Sequence, residues 1–406
     1  PLDGTELCLA KFTEDGSLSR PRRLAGNVKE SVCQPCWSPS GTLHFISDAT
    51  GWWNLYRWDG ECGEPLFPMA AEFAGPQWGF AQSSYGFEDN TTILCTYVYK
   101  GKTRLARLDT MARSMDEISV PYCGIGSLQV GKGFAAFVAA STTEPSAIVK
   151  LDLNTLETRT LRKSSTLEID PGYISEPEVI SFPTTGGLNA YGIYYCPQNK
   201  DYEVQATQRP PLLVKTHGGP TASASSGLNA SIQYWTSRGF AVLDVNYGGS
   251  TGYGRAYRNR LQKQWGIVDV DDAVNVALYL VEKGQADKER LAIDGGSAGG
   301  YTTLAALAFR DVFKAGASYY GVSDMTSLAA ETHKFESRYL DSLVGPYPEK
   351  KNVYEARSPI NAVDQLSCPI IFLQGSEDKI VPPNQAEEMV NALKKKGIPV
   401  AYLLFE

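Results

Sequence analysis

Two stretches of the chain set a serine between glycines in the spacing G-x-S-x-G: Gly295-Gly296-Ser297-Ala298-Gly299 and Gly248-Gly249-Ser250-Thr251-Gly252. That spacing suits nucleophilic acyl chemistry, because flanking glycines let the backbone take the strained turn that lifts a serine Oγ into the open. Context separates the two. Ser297 follows the apolar run RLAID and precedes AGGYTTLAALAF, giving the strand, sharp turn and small-residue helix of a nucleophile elbow. Ser250 also follows a strand pattern, FAVLDVNY, but YGRAYRNRLQ comes next, with another glycine and no apolar helix face. Ser297 is the expected nucleophile. GGSAGG is no dinucleotide fingerprint, since a serine stands at the third position of G-x-G-x-x-G.

A serine attacking a carbonyl needs donors for the oxygen that becomes negative. His217-Gly218-Gly219-Pro220 follows the strand PLLVKT, where hydrolases of this build place such a loop. The amides of Gly218, Gly219 and Ala298 are the expected oxyanion hole, each donor contributing on the order of 3 kcal/mol. The acid is expected at Asp378, just past the strand in CPIIFLQGSEDKIVPP, with Asp324 of GVSDM as its rival. Either can instead be a turn aspartate bonding its own backbone. Tyr247 and Tyr320 follow strands that end near the site and are candidates to line it, although an aromatic at a strand end more often packs.

The base is the difficulty, because the chain has only three histidines. His44, in GTLHFIS, reads as a half-exposed strand residue; His217 belongs to the glycine loop; His333, in ETHKFES, reads as surface or lid. The order Ser, Asp, His expected of this fold places the base after Asp378, where no histidine stands. It is expected just beyond residue 406, so the segment alone should be nearly inactive. No metal or cofactor is expected: Cys33-Gln34-Pro35-Cys36 has neither a second pair nor a nearby pair of histidines, and reads as structural.

The elements that must position these groups fall into two styles. LAKFT, LYRWD, LARLD and IVKLD begin at Leu9, Leu55, Leu105 and Ile148, at intervals of 46, 50 and 43 residues, with Trp37 and Trp78 ahead of the second and third. This is the period of β-propeller blades. About three to four blades are expected, fewer than a closed propeller usually has, so the chain is expected to start within one. From about Ser175 apolar strand runs alternate with helical patterns, the grammar of an α/β domain with a mostly parallel sheet, and the elbow within it points to an α/β-hydrolase domain. DVDDAVNVALYLVEKG and PPNQAEEMVNALKKKG, with their closing glycines, predict helices. The expected domains are a partial propeller over 1–170 and a catalytic domain over 171–406.

Composition narrows the partners. The chain has 43% hydrophobic and 20% charged residues and a net charge of −7, with no basic run to follow a phosphate backbone. Neither nucleic acid nor a membrane is expected as a partner, and the apolar runs fall short of the ~20 residues that span a bilayer. Eight scattered cysteines read mostly as free thiols of a reducing compartment, cytoplasm or organellar stroma. A homo-oligomer is left open.

Taken together, GGSAGG at Ser297, HGGP at His217, NYGGSTGYG at Asn246 and GSEDKIVP around Asp378 resemble the prolyl oligopeptidase family of serine peptidases, nearest its acylaminoacyl-peptidase and dipeptidyl-peptidase branch. The resemblance implies Ser297 as nucleophile, Asp378 as the acid orienting a histidine, Gly219 and Ala298 as oxyanion donors, and a propeller filtering substrates by size. Relatives commonly carry His before the acid loop and Arg two places after the acid; here Gln374 and Ile380 occupy those positions. The leading reading is hydrolysis of short peptides through an acyl-enzyme on Ser297. A carboxylesterase or thioesterase using the same triad, and a non-catalytic propeller scaffold, are the alternatives.

Overall fold

The computed structural model describes residues 3–203, 205, 207–332, 334 and 336–406. His333 lies outside the described residues. The chain divides into two compact units, one of Pro1–Glu168 with Ser225–Leu228 and Thr251–Ala256, the other of Ile169–Ala224, Asn229–Ser250 and Tyr257–Glu406.

The first unit is built of small antiparallel sheets. A two-stranded sheet pairs Leu7–Leu9 with Arg22–Ala25, and three four-stranded sheets follow, each with its strands laid side by side in chain order. The repeats LYRWD, LARLD and IVKLD supply the third strand of each: Asn54–Trp58, Lys102–Asp109 and Ala147–Asp152. Their terminal aspartates recur for a physical reason. Asp59 Oδ1 accepts from the amides of Glu61 and Cys62, Asp109 Oδ1 from Met111 and Ala112, and Asp152 Oδ1 from Asn154 and Thr155, at 2.7–3.0 Å. Each carboxylate thus closes the turn into the fourth strand. Cys33 and Cys36 flank a register shift in the strand Val32–Trp37 and are free thiols.

The second unit holds one eight-stranded sheet. Its strands are β1 (Glu178–Thr184), β2 (Leu188–Tyr195), β3 (Leu212–Thr216), β4 (Ala241–Asn246), β5 (Leu291–Gly296), β6 (Ala315–Tyr319), β7 (Ile370–Gly375) and β8 (Val400–Phe405). They lie in the order β1-β2-β4-β3-β5-β6-β7-β8. The first two pairings are antiparallel and the other five parallel. The near-continuous apolar runs of the central strands reflect burial on both faces. One face carries the large core of Val214, Leu243, Ile293 and their neighbours; the other carries a smaller one around Leu213, Val242 and Ile232. Helix α1 (Ala230–Thr236) brings Ile232 to the smaller core. Helices α2 (Val268–Glu282), α3 (Ala298–Phe309) and α4 (Asn384–Lys396) pack in the larger one. The two expected helices are α2 and α4, the latter closed by Gly397 at φ 78° as a left-handed cap. All residues of α3 from Ala298 to Ala308 are buried, which explains its lack of a polar face.

Candidate active site

β5 ends at Gly296 and α3 begins at Ala298, leaving Ser297 alone to reverse the chain at φ 57°, ψ −122°. A non-glycine residue with positive φ carries local strain, which the surrounding packing must sustain. Here the neighbours leave no slack. A β-carbon at Gly295 would lie 2.2 Å from Thr216 Oγ1, one at Gly299 2.1 Å from Thr216 O, and one at Gly300 2.6 Å from Gly321 Cα. The small residues of the motif therefore bring α3 directly onto β3 and the end of β6. Ser297 N donates to Tyr319 O at 3.0 Å, while Ala298 opens the helix, where first-turn amides lack an intrahelical acceptor. The Ser297 side chain is half-buried and borders a cleft.

The glycine loop after β3 lies against this turn. A β-carbon at Gly218 would stand 3.6 Å from Ser297 Cβ, and Gly219, at φ 115° before a cis bond to Pro220, lines the same cleft as Ser297 and Ala298. Tyr247 is a correction to the sequence reading. It is fully buried and is not among the described residues that line the cleft of Ser297; its hydroxyl donates toward Pro220 O at 2.8 Å and His217 O at 3.0 Å, and its ring stacks on His217 at 4.3 Å. Burial holds its phenol well above the usual range, so it stays protonated and a donor. His217 Nδ1 faces Gly218 O at 2.9 Å, which assigns the proton to Nδ1 and leaves Nε2 to accept from Ser250 Oγ at 2.7 Å. Burial pulls the His217 pKa down to about 4, so the ring is neutral at physiological pH. Ser250 is completely buried, out of a substrate's reach. The second G-x-S-x-G thus serves the glycine loop from beneath.

Asp378 sits in the loop after β7. Its Oδ1 accepts from the amides of Ile380 and Val381 at 2.9 and 3.0 Å, and both residues border the cleft of Ser297. Gln374 is buried and donates through Nε2 to Val381 O at 2.9 Å, tying the loop to the strand from which it springs. Asp324 takes the ordinary role: it caps the short helix Met325–Glu331, accepting from Thr326 N at 2.7 Å. Tyr320, at φ 40°, is 45% exposed, and its ring flanks Gly296 beside the elbow. His44 belongs to the first unit, with Nδ1 3.1 Å from Thr42 O.

Sequence reading missed the rest of the cleft. Its apolar lining includes Trp265, Val322, Leu340 and Leu343, and Glu336 also borders it. These residues come from stretches around 265, 322 and 336–343, far from Ser297 in the chain, and no local pattern marks them. Beneath the elbow strand, Lys215 Nζ bonds both carboxylate oxygens of Asp294 at 2.8 Å and pairs in register with Asp244 of β4, whose carboxyl burial raises to about 7.

A positive-φ serine between strand and buried helix, on a sheet of this strand order, has the geometry of the elbow at which α/β-hydrolases carry a nucleophile. Residues 226–406 match the prolyl oligopeptidase family, so the resemblance carried by the motifs holds over this stretch. Dipeptidyl aminopeptidase BIII of Pseudoxanthomonas mexicana is 33% identical over 201 residues, 48% of this chain and 29% of that protein. The acylamino-acid-releasing enzyme of Arabidopsis thaliana is 31% identical over 206 residues, 48% of this chain and 27% of its own. A puromycin-hydrolyzing peptidase of Mycobacterium tuberculosis superposes on the whole chain with a TM-score of 0.96 at 41% identity, and 62% of that structure is covered. The chain spans about three tenths of the length of these curated relatives and under two thirds of the solved one.

Proposed function

We propose that the protein is a serine peptidase that cleaves short peptides through an acyl-enzyme on Ser297. The supporting observation is the shared cleft: Ser297, the glycine loop and the Asp378 loop all border it. In this reading Ser297 Oγ attacks the scissile carbonyl carbon and its proton passes to an imidazole held by Asp378. Neither His44 nor His217 is that imidazole, since each is engaged elsewhere. The carbonyl oxygen, now negative, is met by the amides of Gly219 and Ala298, with Gly218 keeping the approach clear of side chain. The C–N bond breaks as the imidazolium returns its proton to the leaving amine, and water then hydrolyses the ester, restoring the serine. The peptidase names of the relatives favour peptide amides over esters. The four-stranded sheets of the first unit are read as propeller blades.

The test uses the protein at its natural length. A fluorophosphonate probe should label it and fail to label Ser297→Ala, and peptide amides should be turned over. Labelling that persists in the variant would remove Ser297 from the reaction. Turnover of short esters with none of peptide amides would replace the peptidase with an esterase.

A further inference from the structure

On the face of the sheet that carries the smaller core, three charged side chains share one row across adjacent strands: Asp244 on β4, Lys215 on β3 and Asp294 on β5, with Lys215 in register with both carboxylates. Ile193 of β2 and Ala317 of β6 flank the row. One ammonium thus serves two carboxylates, and it commits to one of them. Lys215 Nζ lies 2.8 Å from both oxygens of Asp294, with side-chain exposures of 18% and 4%. Three residues on from Lys215 stands Gly218, and three on from Asp294 stands Ser297. We propose that this row is a proton-linked clamp on the two turns of the site: Lys215, through Asp294, positions the glycine loop against the elbow, and Asp244 leaves that hold undisturbed only while it carries a proton. The role in turnover rests on the assignment of Ser297 above, whereas the proton linkage does not.

Charge count carries the argument. A carboxylate withdrawn from water without a cation of its own relieves the cost by taking up a proton. With Asp244 neutral, the row holds one positive and one negative charge in contact. With Asp244 ionised, it holds two negative charges and one positive, and the second carboxylate draws Lys215 away from its two-oxygen hold on Asp294. Among the described residues the titratable groups that act on Asp244 are Lys215 and Asp294; β2 sets Ile193 opposite it, and α1 brings the apolar Ile232 and Trp235 to the same face. Burial and the Asp294 charge raise the phenol of Tyr319, on β6, so that it stays neutral. Burial, opposed by Lys215 and reinforced by Asp294, raises the Asp244 carboxyl to about 7. The folded chain therefore keeps a proton that the unfolded chain releases near the ordinary carboxylate value of about 4. The stability supplied by that proton is complete below the unfolded value and is lost as the pH rises through about 7.

The experiment compares the natural-length protein with Asp244→Asn, which fixes the neutral form, from about pH 5 to about pH 8, by melting temperature and by turnover of a peptide amide. At the upper end Asp244→Asn should melt about 4 °C or more above the parent, and the difference should shrink toward zero at the lower end. The ratio of kcat in the variant to kcat in the parent should rise about threefold or more over the same window, with KM changing within about twofold, because the turns act on the oxygen that becomes negative. Lys215→Met, which strands both carboxylates, should melt below the parent by a margin that widens as the pH rises, and Lys215→Arg should recover part of it. A melting difference that does not vary with pH would show that Asp244 holds no linked proton. A kcat ratio flat in pH beside a shifting melting difference would show that the row stabilises the sheet without positioning the turns. Either result overturns the proposal. Turnover surviving Ser297→Ala would instead overturn the catalytic assignment, and would leave the melting difference standing.

Discussion

Tyr247 has no access to substrate, yet it holds the glycine loop beside Ser297. Its hydroxyl is the tie between the two carbonyls that bracket the Gly218-Gly219 segment, and His217, itself held by Ser250, stacks on its ring. A buried hydrogen bond lost at this point costs about 1–3 kcal/mol. In the proposed mechanism the loop's amides act on the reacting oxygen only as it becomes negative, so loosening them would raise the barrier more than it weakens substrate binding. Tyr247→Phe should lower kcat about tenfold with KM within about twofold. An unchanged kcat with a raised KM would place the loop in substrate binding instead.

At the level of elements, the glycines of the elbow are packing requirements as much as turn residues. Replacing a helix glycine by alanine ordinarily stabilises a helix by up to ~1 kcal/mol. At Gly299 the sign reverses, because the new β-carbon would lie 2.1 Å from Thr216 O and 2.9 Å from His217 O, and main chain cannot step aside as a flexible side chain can. Separating α3 from β3 costs about 3 kcal/mol. Gly299→Ala should lower the melting temperature by roughly 6–12 °C in a unit of this size, and probe labelling of Ser297 should fall with it. A melting temperature within about 1 °C of the parent would show that the helix accommodates the methyl.

On the scale of the whole molecule, the segment that follows Ser250 does not stay with the sheet it leaves. Thr251–Ala256 counts with the first unit, where Arg255 Nε and a terminal nitrogen reach Asp48 Oδ2 at 2.7 and 2.6 Å, with side-chain exposures of 15% and 0%. Asp48 also accepts from Ser31 N at 2.7 Å, and Gly254 N donates to the buried Glu72 at 3.1 Å. Removing one member of a buried pair strands the other charge, at about 3–5 kcal/mol. Arg255→Ala should therefore destabilise the protein by that amount in urea unfolding, while Arg255→Lys, which keeps a charge but loses the planar fork, should recover only part. Equal stability of Arg255→Ala and the parent would mean that the pair contributes nothing net.

What was legible in the sequence is what neighbouring residues impose on one another. The alternation of apolar strand runs with helices, the two capped helices, the repeats of the first unit and the elbow around Ser297 all follow from short-range periodicity and from backbone geometry that only glycine tolerates nearby. The tertiary structure decided matters that depend on residues far apart in the chain. It buried Ser250 against His217, turned Tyr247 inward as a clamp, used Asp324 as a helix cap and brought Glu336 to the Ser297 cleft. A strand's pattern states which face of it is apolar. It does not state which loop, some thirty or more residues away, will lie across its end, because that contact is fixed only when the whole sheet has assembled.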